Sequence, residues 1–218
     1  MITGTSTDLG ERWVAAWAHT RGCVVERVDG WPLVHVDSPS RDSELVCVSP
    51  GLEAFTSLIR HIDGDPRGML TVVGTDLSPY TTLSLPPTVR VDRDDETLMS
   101  TTLSALEAPP IDPVFTPRWD IDDNRVTYTL EVGKAVAAQG TLGVLGTDAT
   151  FDAIETMRPY RRLGLARHVM TTLTTYALDA GAVTGVLAAT SKGRMIYESL
   201  GWDATLAMWS LMGVVPES

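Results

Sequence analysis

The chain has 218 residues and a mass of 23.6 kDa, with 44% apolar and 21% charged residues, enough to bury the core of one large domain or two small ones. A net charge of −11 and a pI near 4.7 argue against nucleic acid as a partner, because phosphate binding needs a basic face. No apolar run is long enough to span a membrane and no basic-then-apolar leader opens the chain, so a cytoplasmic protein without a membrane partner is expected. Two cysteines, Cys23 and Cys47, cannot build a disulfide scaffold or a four-ligand zinc site, and no metal is expected.

Charge is spread unevenly. Residues 1–112 carry 17 acids against 8 bases, whereas residues 113–218 carry 11 against 9. Four of those nine bases, Arg158, Arg161, Arg162 and Arg167, fall within ten residues. An acidic front half beside a basic knot suits a cationic substrate and an anionic co-substrate; ordinary solubility charge explains the acids equally well.

In chain order, the small polar start reads as a loose terminus, and Asp8 reads as the N-cap of a helix with Leu9, Trp13, Ala16 and Trp17 on its apolar stripe. Strands are expected at Cys23–Val28, Leu33–Val36 and Leu45–Val48, with both cysteines as core residues. Leu52, Phe55, Leu58, Ile59 and Ile62 mark a second helix, ended by Asp63-Gly64-Asp65-Pro66, and Met69–Val73 is a further strand. Between 74 and 118 prolines interrupt the pattern, Asp92–Glu96 is an acidic knot, Thr97–Leu106 reads as a short helix, and roughly 107–118 as a linker. No internal repeat is visible. The pattern divides the chain into an N-terminal α/β region, 1–112, and a second domain, 113–218.

From Trp119 onward the signals sharpen. Val126, Tyr128, Leu130 and Val132 alternate with polar residues, and two more strands, Ala135–Leu145 and Ala149–Thr156, follow through short turns. A helix with Leu165, Val169, Leu173, Tyr176 or Ala177, and Ala180 on one stripe ends at Gly181. Gly185–Ala189 reads as a buried strand, Ser191–Leu200 as a short helix closed by Gly201, and Thr205–Met212 as a last strand. His168 reads as a surface side chain, and Trp13, Trp17 and Trp31 as core.

The run Thr156-Met157-Arg158-Pro159-Tyr160-Arg161-Arg162-Leu163-Gly164-Leu165-Ala166 joins a strand to a helix. A helix start offers unpaired N–H groups and the positive end of the dipole; Gly164 admits an anion, and Arg161 and Arg162 add charge. This is a phosphate cradle that is neither a Walker loop nor a dinucleotide fingerprint. The plain alternative is a solvated, arginine-rich helix start.

The spacing Arg161-x-x-Gly164-x-Ala166 after a strand resembles motif A of the GNAT superfamily of acetyl-CoA-dependent N-acetyltransferases. Thr190 to Trp202, with Tyr197-Glu198-x-Leu200-Gly201-Trp202, resembles that family's motif B. The resemblance spans about residues 119 to 212 and implies an α+β GNAT fold: a splayed mixed sheet flanked by helices, with acetyl-CoA between the strands ending near Thr156 and Ala189. It implies backbone contacts from Thr156 and Met157 to the pantetheine arm and a pyrophosphate on Arg161, Arg162, Leu163, Gly164, Leu165 and Ala166. Tyr197 takes the place of the family's usual general acid. Thr190 stands where many members have Asn, and its hydroxyl can still bond the pantetheine arm.

A base must accept the proton of the attacking amine. Glu155 and Asp152 are the candidates, Glu155 being favoured, with a structural pairing to a nearby arginine as its plain alternative; by the two-residue period of a strand they point to opposite faces, and Asp148 sits in the preceding turn. The expected reaction is acetylation of a primary amine on a small cationic molecule, such as an aminoglycoside-like antibiotic, by a monomer or homodimer. A protein lysine or N-terminal acetyltransferase and a non-catalytic acyl-CoA-binding protein are the alternatives, and fold alone does not choose among them.

Overall fold

Apolar residues with a two-residue period become strands of a single sheet, and those with a helical period become the three helix stripes that cover it. The computed structural model describes residues 6–122 and 125–215. In chain order the elements are α1 (Ser6–Arg21), β1 (Val24–Val28), β2 (Trp31–His35), β3 (Ser43–Val48), α2 (Leu52–Leu58), β4 (Gly68–Gly74), α3 (Ser78–Thr81) and β5 (Val89–Thr102). There follow β6 (Thr116–Asp122), β7 (Arg125–Val132), β8 (Ala135–Leu145), β9 (Asp148–Thr156), α4 (Leu165–Asp179), β10 (Thr184–Thr190), α5 (Ser191–Glu198) and β11 (Asp203–Gly213). The loose start falls on residues 1–5, outside the described ones; Ser6 already opens α1, which puts Asp8 in the first turn instead of at the cap.

The strands form one mixed sheet in the order β1-β2-β3-β4-β11-β5-β10-β9-β8-β7-β6. That order contains a repeat that residue identities conceal. β1, β2 and β3 are antiparallel neighbours, α2 leads to β4 parallel to β3, and α3 leads to β5. Likewise β7, β8 and β9 are antiparallel neighbours, α4 leads to β10 parallel to β9, and α5 leads to β11. The two halves trade their last strands: β11 lies between β4 and β5, and β5 lies between β10 and β11. The sheet therefore runs unbroken through strands of both halves.

Packing follows the register. Leu142, Leu187 and Met99 pack with Leu165, Val169 and Leu173 of α4, while Leu45, Val72 and Trp209 pack with Phe55 and Leu58 of α2, on the same face. The opposite face belongs to α1, whose Leu9, Trp13, Val14 and Trp17 cover Val46, Val73, Leu98 and Val186. Arg12 pairs with Asp148 and Arg21 with Asp152, which ties α1 to β9. Gly143 allows this approach, because a Cβ there would collide with the Thr20 side chain.

Several expectations are corrected. Residues 97–102, read as part of a helix, belong to the 14-residue strand β5, which also absorbs the acidic knot. The second helix is α-helical only to Leu58 and ends in a 3₁₀ turn, Ile59–His61. His168 is half-buried and bonded on both sides: Nδ1 lies 2.8 Å from the Pro109 carbonyl and Nε2 3.0 Å from the Tyr128 hydroxyl, fastening the segment 103–115 to α4. Cys47 is buried in β3, whereas Cys23 precedes β1 and is half-buried, as is Trp31.

Candidate active site

β9 and β10 are paired at only three positions, Asp148 with Thr184, Ala149 with Gly185 and Thr150 with Val186; beyond these the strands part. The cause is local. A β-bulge interrupts the register of β9 on β8, between the Gln139–Glu155 and Thr141–Asp152 pairs, with Ala153 at a φ of 51°. A bulge bends its strand and increases twist, and so turns β9 away from β10. In the first half, β3 and β4 stay paired over six positions, from Ser43–Gly68 to Val48–Val73, and no such cleft opens. There Tyr80 of α3 donates its hydroxyl to the Pro50 carbonyl at 2.5 Å and packs on Phe55.

The bulge also corrects the facing of the two candidate bases. Asp152 and Glu155 are cross-strand partners of Thr141 and Gln139, two residues apart on β8, so both point to the face of α1. They differ in what they touch. Asp152 Oδ2 accepts from Arg21 Nε at 2.6 Å, and its Oδ1 accepts from the Ala153 N–H at 2.9 Å, capping the bulge. Glu155 is exposed and makes no hydrogen bond or ion pair among the described residues. Asp148 is engaged by Arg12.

In the gap between β9 and β10 lies a cavity of about 660 Å³. It brings together Glu155, Thr156, Arg161, Arg162, Gly164, Leu165, Ala166, Thr190 and Tyr197. Asp152, Met157 and Leu163 do not line it: the Met157 N–H donates to Ala137 O and its carbonyl accepts from the Tyr160 N–H, both at 2.9 Å, and Leu163 is 56% exposed. Lys192, Gly193, Ile196, Arg167 and Ile154 complete the wall. Lys192 was legible only in retrospect: the first turn of a helix that follows a parting strand faces the gap.

The turn before α4 places Arg162 and Gly164 in the left-handed region, at φ 65° and 78°. That alternation turns successive N–H groups inward, and the first N–H groups of α4 have no intrahelical acceptor. Arg161 is steadied by a bond from Nε to Thr156 O at 3.1 Å, which leaves its terminal nitrogens free. Thr156 Oγ1 is buried without a partner among the described residues. An anionic head at α4 and a polar, amide-bearing arm passing Thr156 would satisfy these groups, so the residues fit a long diphosphate-bearing ligand. On the wall formed by α5, Tyr197 is 7% exposed and its hydroxyl makes no hydrogen bond among the described residues. Burial, reinforced by the charge of Asp152, pushes its phenol up to about 12. Thr190, expected to contact a ligand, caps α5 by accepting from the Gly193 N–H at 3.3 Å. No three His, Cys, Asp or Glu side chains among the described residues converge as a metal would need, and no described helix is long and apolar enough to cross a membrane.

No protein-family model matches the chain, and no curated protein matches it in sequence. Solved structures do. A GCN5-related N-acetyltransferase from Kribbella flavida superposes with a TM-score of 0.68 at 13% identity, over 99% of this chain and 97% of that one. A GCN5-related N-acetyltransferase-like protein from Streptococcus suis gives 0.61 at 13% identity, over 94% and 98%. A tandem GNAT protein from the clavulanic acid biosynthesis pathway gives 0.57 at 11% identity, over 95% and 97%. Identities this low speak to architecture alone. The chain has the fold of the GCN5-related N-acetyltransferases.

Proposed function

We propose that the protein transfers the acetyl group of acetyl-CoA to a primary amine of a small cationic molecule, with aminoglycoside-like amines as the class to try first. The observation that carries this reading is one cavity lined by a cationic, N–H-bearing turn at α4 together with a phenol and a carboxylate that have no side-chain partner among the described residues. The turn from Arg161 to Ala166 holds the pyrophosphate, and Thr156 Oγ1 bonds the pantetheine arm. Glu155 accepts the proton of the amine, directly or through a water, as the C–N bond forms and the C–S bond breaks.

Tyr197 faces the departing sulfur. A thiol ionises near 8.5, so full proton transfer from a phenol near 12 is uphill by roughly 5 kcal/mol. Tyr197 therefore acts by donating a hydrogen bond to the thiolate, which takes its proton from solvent. The acidic run of β5 supports a cationic acceptor: Glu96 lies directly opposite Thr190, a residue of the cavity wall, so the run neighbours that wall.

Calorimetry with acetyl-CoA tests the reading. Replacing Arg161 and Arg162 together by alanine should weaken binding roughly 10- to 100-fold, since exposed charge-assisted bonds are lost while the backbone cradle stays. A wild-type protein that does not bind acetyl-CoA would overturn it. A thermal-shift panel of amines, with and without acetyl-CoA, then identifies the acceptor.

A further inference from the structure

We propose that Asp95, on the strand that the first half lends to the second, is a positioning residue that holds Tyr197 at the reacting sulfur; this rests on the role given to Tyr197 above.

α5 has eight residues with a glycine among them, and helices this short do not hold together alone. Tyr197 is its one buried residue, so the place of the phenol depends on how the ends of α5 are tied. The C-terminal end is tied to α4: an Arg167 terminal nitrogen donates to Ser199 O at 3.1 Å and to Ser199 Oγ at 2.9 Å. The N-terminal end is tied to β5. Because Thr190 is the register partner of Glu96, the next residue on each strand, Ser191 and Asp95, meet where α5 begins, and Ser191 Oγ donates to Asp95 Oδ2 at 2.7 Å.

The lever is short. The Tyr197 side chain runs back along α5 toward that same turn, and a Cβ on Gly193 would lie 3.3 Å from its ring and 4.0 Å from its hydroxyl. Releasing Ser191 frees the turn against which the phenol rests. The Ser191 bond, with Lys192 close by, holds the Asp95 carboxyl below the usual carboxylate range, so the acceptor is charged at neutral pH. Asp95 lies far along the chain from both recognisable motifs, and only the exchange of β5 and β11 brings it here.

The test uses the full chain with acetyl-CoA and spermidine as the cationic amine, read as kcat, KM and the calorimetric Kd for acetyl-CoA. Hydrogen exchange over residues 194–200 reads the same coupling without turnover. Asp95→Ala should lower kcat on the order of tenfold, short of the ~10²-fold that a 1 Å misplacement can cost, with Kd within about twofold. It should also speed exchange in α5. Asp95→Asn, whose amide oxygen can accept the same bond, should restore most of both, and Ser191→Ala should match Asp95→Ala; these two carry the comparison if Asp95→Ala does not fold. In a Tyr197→Phe background, Asp95→Ala should cost no more than about a further twofold. Full additivity in that background, an Asp95→Asn variant as poor as alanine, or unchanged exchange in α5 would overturn the positioning role. Wild-type turnover in Tyr197→Phe alone would instead remove the chemistry assigned to the phenol, and the inference with it.

Discussion

Two carboxylates sit on the same face of β9, and their surroundings predict opposite phenotypes. Asp152 is engaged through both oxygens, by Arg21 and by the Ala153 N–H at the bulge. Its side chain is 22% exposed and that of Arg21 34%, so solvent screens the pair only in part. Asp152→Asn keeps an oxygen for the Ala153 N–H and loses the charge opposite Arg21, at a cost of about 1–2 kcal/mol. For a chain of this size that lowers Tm by about 2–8 °C. Turnover should change little, because both Asp152 oxygens are already engaged within the protein and the carboxylate does not line the cavity. Glu155→Gln breaks no bond in the protein, so stability should stay within about 0.5 kcal/mol of wild type. If Glu155 accepts the amine proton, kcat should fall by about 10²–10⁴-fold. Steady-state release of free CoA thiol, together with melting curves of both variants, checks the pair. A hundredfold loss in Asp152→Asn beside near-normal turnover in Glu155→Gln would refute the assignment.

Two further outcomes follow from burial and charge. Burial pushes the Cys47 thiol from its ordinary 9.0 up to about 12, so the folded state holds a proton that the unfolded chain releases; stability is intact below pH 9 and is lost as pH rises toward 12, by up to about 4 kcal/mol. Denaturant midpoints across that range should decline steeply in wild type and less so in Cys47→Ala. If the acids of residues 1–112 recruit a cationic amine, kcat/KM should drop as salt rises from low to physiological strength, where screening acts beyond about 8 Å, and an apolar neutral amine with equal activity and no salt response would contradict that.

Much of the second half was legible in the sequence because its signals are local. The stripe of α4, the Gly164 turn and the short helix holding Tyr197 each lie within a few residues, and the parting of β9 from β10 brings them to one cavity. What escaped detection depends on partners distant in the chain. β5 reads as polar and broken because its acidic stretch, Val89–Asp95, pairs only with β11 beyond the end of β10; aspartates have low strand propensity, and the neighbouring strand overrides it. The bulge at Ala153 left no trace, since alanine is not a residue that announces a positive φ, and missing it reversed the facing of Glu155 relative to Asp152. His168 looked solvated until the segment at Pro109 was seen to pass over it.

The traded strands also set a timetable for biosynthesis. β11, residues 203–213, occupies the centre of the sheet, hydrogen-bonded to β4 on one side and β5 on the other. Until residues 203–213 have left the ribosome, the β4 edge lacks its β11 partner, and β5 lacks β11 on one side and, before β10 emerges, its neighbour on the other. Those edges wait in the cell as open templates for mispairing, because β4 and β5 are made before the strand that separates them. β11 is thus the strand that commits the nascent chain, and a ribosome stalled short of residue 203 would hold a sticky intermediate rather than a finished half.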